Sequence, residues 1–198
     1  MRTWAGELSH VRLSIPGPCG QPSIHSRVLG GNDPDLRRWP WQGSLRVWGS
    51  HHCGASPLNR RWVLWASHCF QTHRDPSKRT VQFGKLSSRL CFWSFRAYHQ
   101  HCRVQDIIMY PEFNQSSLND IALVRLSASI TCSPYIQPVC VLASSSEFQN
   151  RTGCWVTGWG GIREEQVLPS PYILQEVQVG IINTTICNNL STQPAFQL

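Results

Sequence analysis

With 198 residues, 41% of them apolar and 15% charged, the chain can bury a substantial core as one two-lobed domain or two small ones; it has no apolar run long enough to span a membrane and no lipid-anchor tail. The formal charge of +7 is uneven, because residues 1 to 110 hold 15 Arg and Lys against 5 Asp and Glu and the remainder 3 against 6, giving +10 and −3. Basic pairs such as Arg37-Arg38 and Arg60-Arg61 come without an RNA-binding motif, so a solvated basic surface is expected and no nucleic-acid partner.

Residues 1 to 27 are rich in Pro, Gly and Ser around a lone Cys19 and read as a leader without a core of its own. Met1 to Cys19 holds neither the basic start nor the apolar run of a signal peptide, so none is expected there and the N-terminus reads as incomplete or alternative. Arg27-Val28-Leu29-Gly30-Gly31 sets a basic residue before a small apolar one and a glycine pair, a joint open to proteases that cut after basic residues. From Trp39 onward short apolar runs alternate with turn residues, an all-β pattern without helical periodicity. Strands are expected at Gly43 to Trp48, Arg61 to Ala66, Thr80 to Phe83, Val104 to Met109 and Ile121 to Leu126, with about six in the first lobe. Pro134 to Pro138 breaks the pattern, Ser144 to Arg151 reads as a connector, and Cys154 to Trp159 and Leu174 to Ile182 give the second lobe about two strands.

Nine cysteines without any C-x-x-C pair point to disulfides and an oxidising compartment rather than a zinc knuckle, and no metal or cofactor is expected. The sequons at Asn114, Asn150, Asn183 and Asn189 are glycosylation candidates that agree with that compartment.

Two stretches carry chemistry. Arg61 to Phe70 runs an apolar strand into His68-Cys69, which places an imidazole on a stiff support; by itself this pattern also suits a histidine that merely packs. Asn119 to Leu126 sets Asp120 at the mouth of a strongly apolar strand, where it either caps the turn or meets a donor such as a histidine N–H. Taken together, His68 and Asp120 read as a base and the group that orients it.

The chain resembles the trypsin-family serine proteases of the chymotrypsin fold. The resemblance rests on Arg27 to Gly31, Trp39 to Leu45, His52-Cys53-Gly54, Trp62 to Cys69, Asn119 to Leu126, Ile136 to Cys140 and Cys154 to Gly160, in the family's order. Within the family it is most similar to testisin-like serine proteases of testis, through Asn150 to Trp159 and Leu168 to Pro171. The resemblance implies a double β-barrel, with a leader at 1–27, a complete first barrel at 28–143, and a linker and partial second barrel at 144–198. It implies His68 as general base, Asp120 as its orienting carboxylate, activation cleavage between Arg27 and Val28 by another protease, and disulfides Cys53–Cys69 and Cys19–Cys140. It also implies a protein or peptide substrate cut after Arg or Lys, and an extracellular or cell-surface location.

Departures from the family pattern set further expectations. The nucleophilic serine should follow Asp120 by roughly ninety residues in the His, Asp, Ser order, and no Gly-Asp-Ser-Gly-Gly-Pro turn occurs in the chain. Ser170 sits between prolines and Ser191 belongs to a sequon, so the chain is expected to be truncated before its nucleophile and inactive as a peptidase. A non-catalytic protease-like binding module is the alternative reading. Cys154 and Cys187 match positions whose usual partners lie past Leu198, Cys91 has no family counterpart, and Cys102 and Cys132 are candidates to pair with each other. Trp65 stands where the family has a small residue, a mismatch worth roughly 1 to 3 kcal/mol if the slot is small. An unclosed second barrel should expose a strand edge and an apolar face.

Overall fold

The computed structural model describes residues 19–21, 37–71, 74–89, 99–113, 119–141, 153–161 and 166–182. Arg27, Val28, the four sequon asparagines, the connector at 144–151, Cys91, Cys187 and Ser191 lie outside the described residues. The fold is all-β. Strands β1 (Gly43–Val47), β2 (Ser50–Pro57), β3 (Trp62–Trp65), β4 (Arg79–Phe83), β5 (Gln100–Met109) and β6 (Ala122–Leu126) close a barrel in the order β1-β2-β3-β6-β5-β4. Every neighbouring pair is antiparallel, and closure gives each barrel strand a neighbour on both sides, β2 meeting β3 only at Ser56 and Pro57. Strands β7 (Cys154–Gly158) and β8 (Gln175–Val179) form a separate two-stranded sheet. Among the described residues no helix is long and apolar enough to cross a membrane.

Period-two alternation fills the barrel. Leu45, Val63, Val81, Phe83, Val124 and Leu126 are wholly buried in one core with Phe70, Ile130 and Ile136. Strand β2, whose sequence Ser-His-His-Cys-Gly-Ala-Ser-Pro lacks large apolar side chains, was not among the expected strands. It exists because β1 and β3 supply hydrogen-bonding partners on either side, a tertiary effect invisible to hydrophobic patterning.

The core corrects two expectations. Trp65 is 4% exposed and meets Phe70 edge to face, with ring centroids 5.3 Å apart, so the barrel accommodates the large ring. The cost falls on the indole Nε1, which is buried without a hydrogen-bond partner, a loss of about 1 to 3 kcal/mol. Cys102 and Cys132 are both free thiols, so the pairing suggested for them does not form. Cys102 sits opposite Val81 and faces the barrel core, which directs its sulfur away from the surface segment after β6.

Two arginines are buried as well, Arg79 in phase with Val81 and Phe83 on β4 and Arg46 on the face of β1 opposite core-facing Leu45. Arg79 is buried beside Cys69, to whose carbonyl it donates over 3.1 Å, and its guanidinium lies 4.6 Å from the centre of the Phe70 ring. Arg46 is buried at the end of β1, where it donates to the carbonyls of Gly49 and Ser88 and to Gln82 Oε1.

The two-stranded sheet is tied to the barrel by one face. Trp159, Leu168 and Leu174 pack with Trp39 and Leu86, the Trp159 indole donates to the Leu86 carbonyl over 2.7 Å, and Leu174 N donates to the same carbonyl over 2.9 Å. Arg38 pairs with Glu176 at 2.6 Å, and Thr157 Oγ1 donates to Gln42 Oε1 over 2.9 Å. On the opposite face Val156, 56% exposed, stands across from Val177, 55% exposed, with Val179 exposed beside them. An open apolar face on the second sheet therefore accompanies the closed first barrel.

Gly43 makes the barrel's closest approach. A Cβ there would lie 2.4 Å from Phe83 Cε1 and 2.7 Å from its Cδ1, and the Phe83 ring is wholly buried. Gly43→Ala should cost about 1 to 3 kcal/mol by overpacking, seen as a lower midpoint in urea unfolding with an unchanged slope. His51 on β2 hydrogen-bonds Ser44 Oγ at 2.8 Å and is held down to about 4 from 6.5 by burial first and by Arg46 and His52 second. Because the unfolded histidine takes its proton near 6.5 and the folded one only near 4, stability should fall as pH drops across that window. His51→Asn should flatten that part of a stability-against-pH curve.

Candidate active site

Strand β3 ends at Trp65, and extended Ala66 leads into a 3-10 turn over Ser67–Phe70. The turn is closed by Cys69 N donating to the Ala66 carbonyl and Gln71 N to that of His68. Ser67, Cys69 and Phe70 are buried while His68 is exposed, so the turn is anchored on three sides and presents the imidazole to solvent. The anchors are chemically distinct: Phe70 packs in the barrel core, and Cys69 is bonded to Cys53 of β2. Ser67 Oγ donates to the Ile121 carbonyl over 2.6 Å.

That last bond reaches the segment carrying Asp120. Asn119 adopts a left-handed φ of 61°, Ile121 N donates back to the Asn119 carbonyl over 2.8 Å, and β6 begins at Ala122. Strand pairing sets Trp65 opposite Ala122, so the residues just beyond the two strand ends come together. Asp120 Oδ1 accepts from the His68 backbone N–H over 2.8 Å, and Oδ2 lies 2.5 Å from His68 Nδ1. An ionised carboxylate only accepts, so Nδ1 carries the proton, leaving the Nε2 lone pair as the basic site. Burial opposes the charge on Asp120, but the hydrogen bonds from the His68 ring and backbone outweigh it and hold the carboxyl below its usual 3.8.

Asp120 also lines a cleft of about 440 Å³ between the barrel and the second sheet, with Gln42, Ser56, Trp65, Ala66 and Thr157. The sulfurs of Cys53 and Cys69 come within 4.8 Å of a His68 nitrogen, but they are bonded to each other and are not free thiolates for a metal. Cys19 is joined to Cys140, while Cys154 is a free thiol. Ser170, one of the two late serines, accepts from Arg89 Nη1 at 3.4 Å on the barrel's 84–89 side. The structural role of Ser67 escaped the sequence reading, since a serine before a histidine carries no signal until its strand partner is known.

If the His68 hydrogen bonds depress Asp120, its carboxyl should titrate below 3.8 in carbon-detected NMR and move upward in His68→Ala, where burial acts with less opposition. The stability it contributes should be present above 3.8 and lost as pH falls through the folded pKa, a slope that His68→Ala should reduce.

Comparison with known proteins gives this geometry a lineage. The family model described as Trypsin matches residues 28–195. Human testisin is 53% identical over 192 residues, covering 96% of this chain and 61% of testisin. Human serine protease 41 is 51% identical over 178 residues, covering 89% of this chain and 56% of that protein, and mouse tryptase is 37% identical over 187 residues, covering 91% and 64%. The chain thus spans somewhat under two thirds of the length of these curated relatives. With a closed first barrel, a partial second sheet, and a family match running from 28 to 195, the chain belongs to the trypsin family of serine proteases, close to the testisin-like members.

Proposed function

We propose that this chain holds the general-base half of a trypsin-like endopeptidase. The observation that carries the reading is the double hydrogen bond from His68 to Asp120, which fixes the ring's orientation and tautomer together. In the reaction His68 Nε2 takes the proton of a serine hydroxyl as that oxygen attacks a peptide carbonyl, then gives it to the leaving amine. Asp120 stabilises the imidazolium formed between those steps and stays ionised, which its low pKa favours. Arg27-Val28 is the activation joint of this reading, peptides cut after Arg or Lys its substrates, and the extracellular space or cell surface its location. The Cys19–Cys140 and Cys53–Cys69 bridges support an oxidising compartment, with Asn114, Asn150, Asn183 and Asn189 as glycan sites. We read residues 28–143 as the first barrel unit, 1–27 as its leader and 144–198 as linker and partial second barrel.

No serine of these 198 residues lies in a Gly-Asp-Ser-Gly-Gly-Pro turn, so we read them as inactive by themselves. The cleft beside Asp120 is the place where a nucleophile-bearing segment would reach His68. A fluorophosphonate probe should leave the 198-residue chain unlabelled, and covalent labelling would overturn the inactivity. A form extended in frame through a Gly-Asp-Ser-Gly-Gly-Pro turn and cleaved after Arg27 should hydrolyse Arg and Lys peptide substrates. In that form Asp120→Asn should lower kcat by about 10⁴-fold. A loss of less than tenfold would remove Asp120 from its assigned role.

A further inference from the structure

On the side of the barrel facing Trp159, apart from the His68 cleft, lies a second cavity of about 450 Å³ whose lining includes Arg46, His51, Ser88, Arg89, Trp159 and Tyr172. None of its lining residues is shared with the cleft beside Asp120. Its chemistry is one-sided. Arg46 is 2% exposed, and all its partners are neutral oxygens: the Gly49 and Ser88 carbonyls and Gln82 Oε1. The Arg89 guanidinium donates to the Ser170 hydroxyl, a neutral partner. Among the described residues no carboxylate pairs with either guanidinium, although a buried charge ordinarily has a counter-charge. Burial with no opposing acid lowers the Arg46 pKa, as expected for a cation without a partner.

The remaining lining combines Gly49, Ser50 and Ser88 with the rings of His51, Trp159 and Tyr172. Trp159 is held by its indole bond to the Leu86 carbonyl and stands edge to face with His51, at 5.1 Å between ring centroids. Tyr172 sits at a left-handed φ of 56°, rare for a side-chain-bearing residue, and is held by Ser88 N donating to its carbonyl over 3.0 Å and its own N–H donating to the Pro169 carbonyl over 2.8 Å. The cavity is several times the space one water occupies and larger than a bare oxyanion requires. Two guanidiniums lacking a carboxylate, set between two rings, match a ligand with a negative head and a flat body.

We propose that this cavity binds an oxyanion carried on or beside an aromatic ring, with the anion at Arg46 and Arg89 and the ring between Trp159 and Tyr172. Such a group can come from an aryl sulfate ester, an aryl phosphate ester, or a carboxylate next to a ring, as in an acidic aromatic peptide. The site is independent of the His68 chemistry, so it stands or falls without any hydrolysis being measured.

The test is calorimetric titration of the full 198-residue chain with phenyl sulfate, phenyl phosphate and phenylacetate, against phenol and inorganic sulfate as controls. At least one aryl anion should bind saturably in the millimolar range or tighter, weaken as salt is added, and shift the Trp159 indole resonance. The tightest of the three identifies the source of the anion. Arg89→Ala should weaken it about tenfold, and Tyr172→Ala should weaken it while leaving inorganic sulfate unaffected. Both side chains are solvent-accessible enough for the variants to keep the parent melting temperature, which is checked first. Absence of saturable binding by all three anions, equal binding of phenol, equal binding of inorganic sulfate, or an affinity unchanged in Arg89→Glu would each overturn the proposal.

Discussion

The antiparallel register of β3 against β6 is the constraint on which the site depends. With Trp65 opposite Ala122, the chain leaves both strands at the same end of the barrel, and the next residues on one side and the preceding residues on the other must meet. His68 and Asp120 occupy those positions. A one-residue slip would turn Val63, Trp65 and Val124 out of the core, so burial of the barrel interior and alignment of the imidazole are enforced by the same pairing. Ser67 and the Cys53–Cys69 bridge then limit the freedom of the turn that carries His68.

This arrangement sets the orientation and the tautomer of the histidine together. Among the described residues, the contacts that orient the histidine come from Asp120, just before β6, and from the turn that follows β3. The barrel by itself therefore fixes which imidazole nitrogen carries the proton and which is left as an acceptor. The second sheet adheres through Trp159, Leu174, Thr157 and Glu176, while Val156, Val177 and Val179 stay open on its other face. Among the described residues its two strands pair with each other, and they rely on the first lobe for their packing.

The barrel also shows two ways of burying a charge. Arg79 lies in phase with the core-facing positions of β4 and is brought inward with Val81 and Phe83, whereas Arg46 follows core-facing Leu45 by one residue and is buried on the other face of β1. Arg79 is accommodated by an aromatic face and a carbonyl. Arg46 is accommodated by the Gly49 and Ser88 carbonyls and the Gln82 side chain, and it lines a cavity, where the uneven charge distribution of the first half has one local expression.

Much of the fold and of the histidine site was legible in the sequence. Apolar runs ending at Trp65 and beginning at Ala122 announced two core strands, and a histidine just after one and an aspartate just before the other needed only their pairing to become a site. The sequence could not show β2, because Ser50 to Pro57 has no apolar period and becomes a strand only between β1 and β3. Nor could it show that Trp65 fits, since that depends on the space Phe70 leaves beside it, or that Cys102 points away from Cys132. The pocket around Arg46 was equally hidden, being assembled from residues up to 126 positions apart in the numbering, from Arg46 to Tyr172. By itself the sequence determined which residues have the chemistry of a base and its carboxylate. Only the tertiary structure decided that they meet, because strand register, not sequence distance, sets which side chains come within 3 Å of each other.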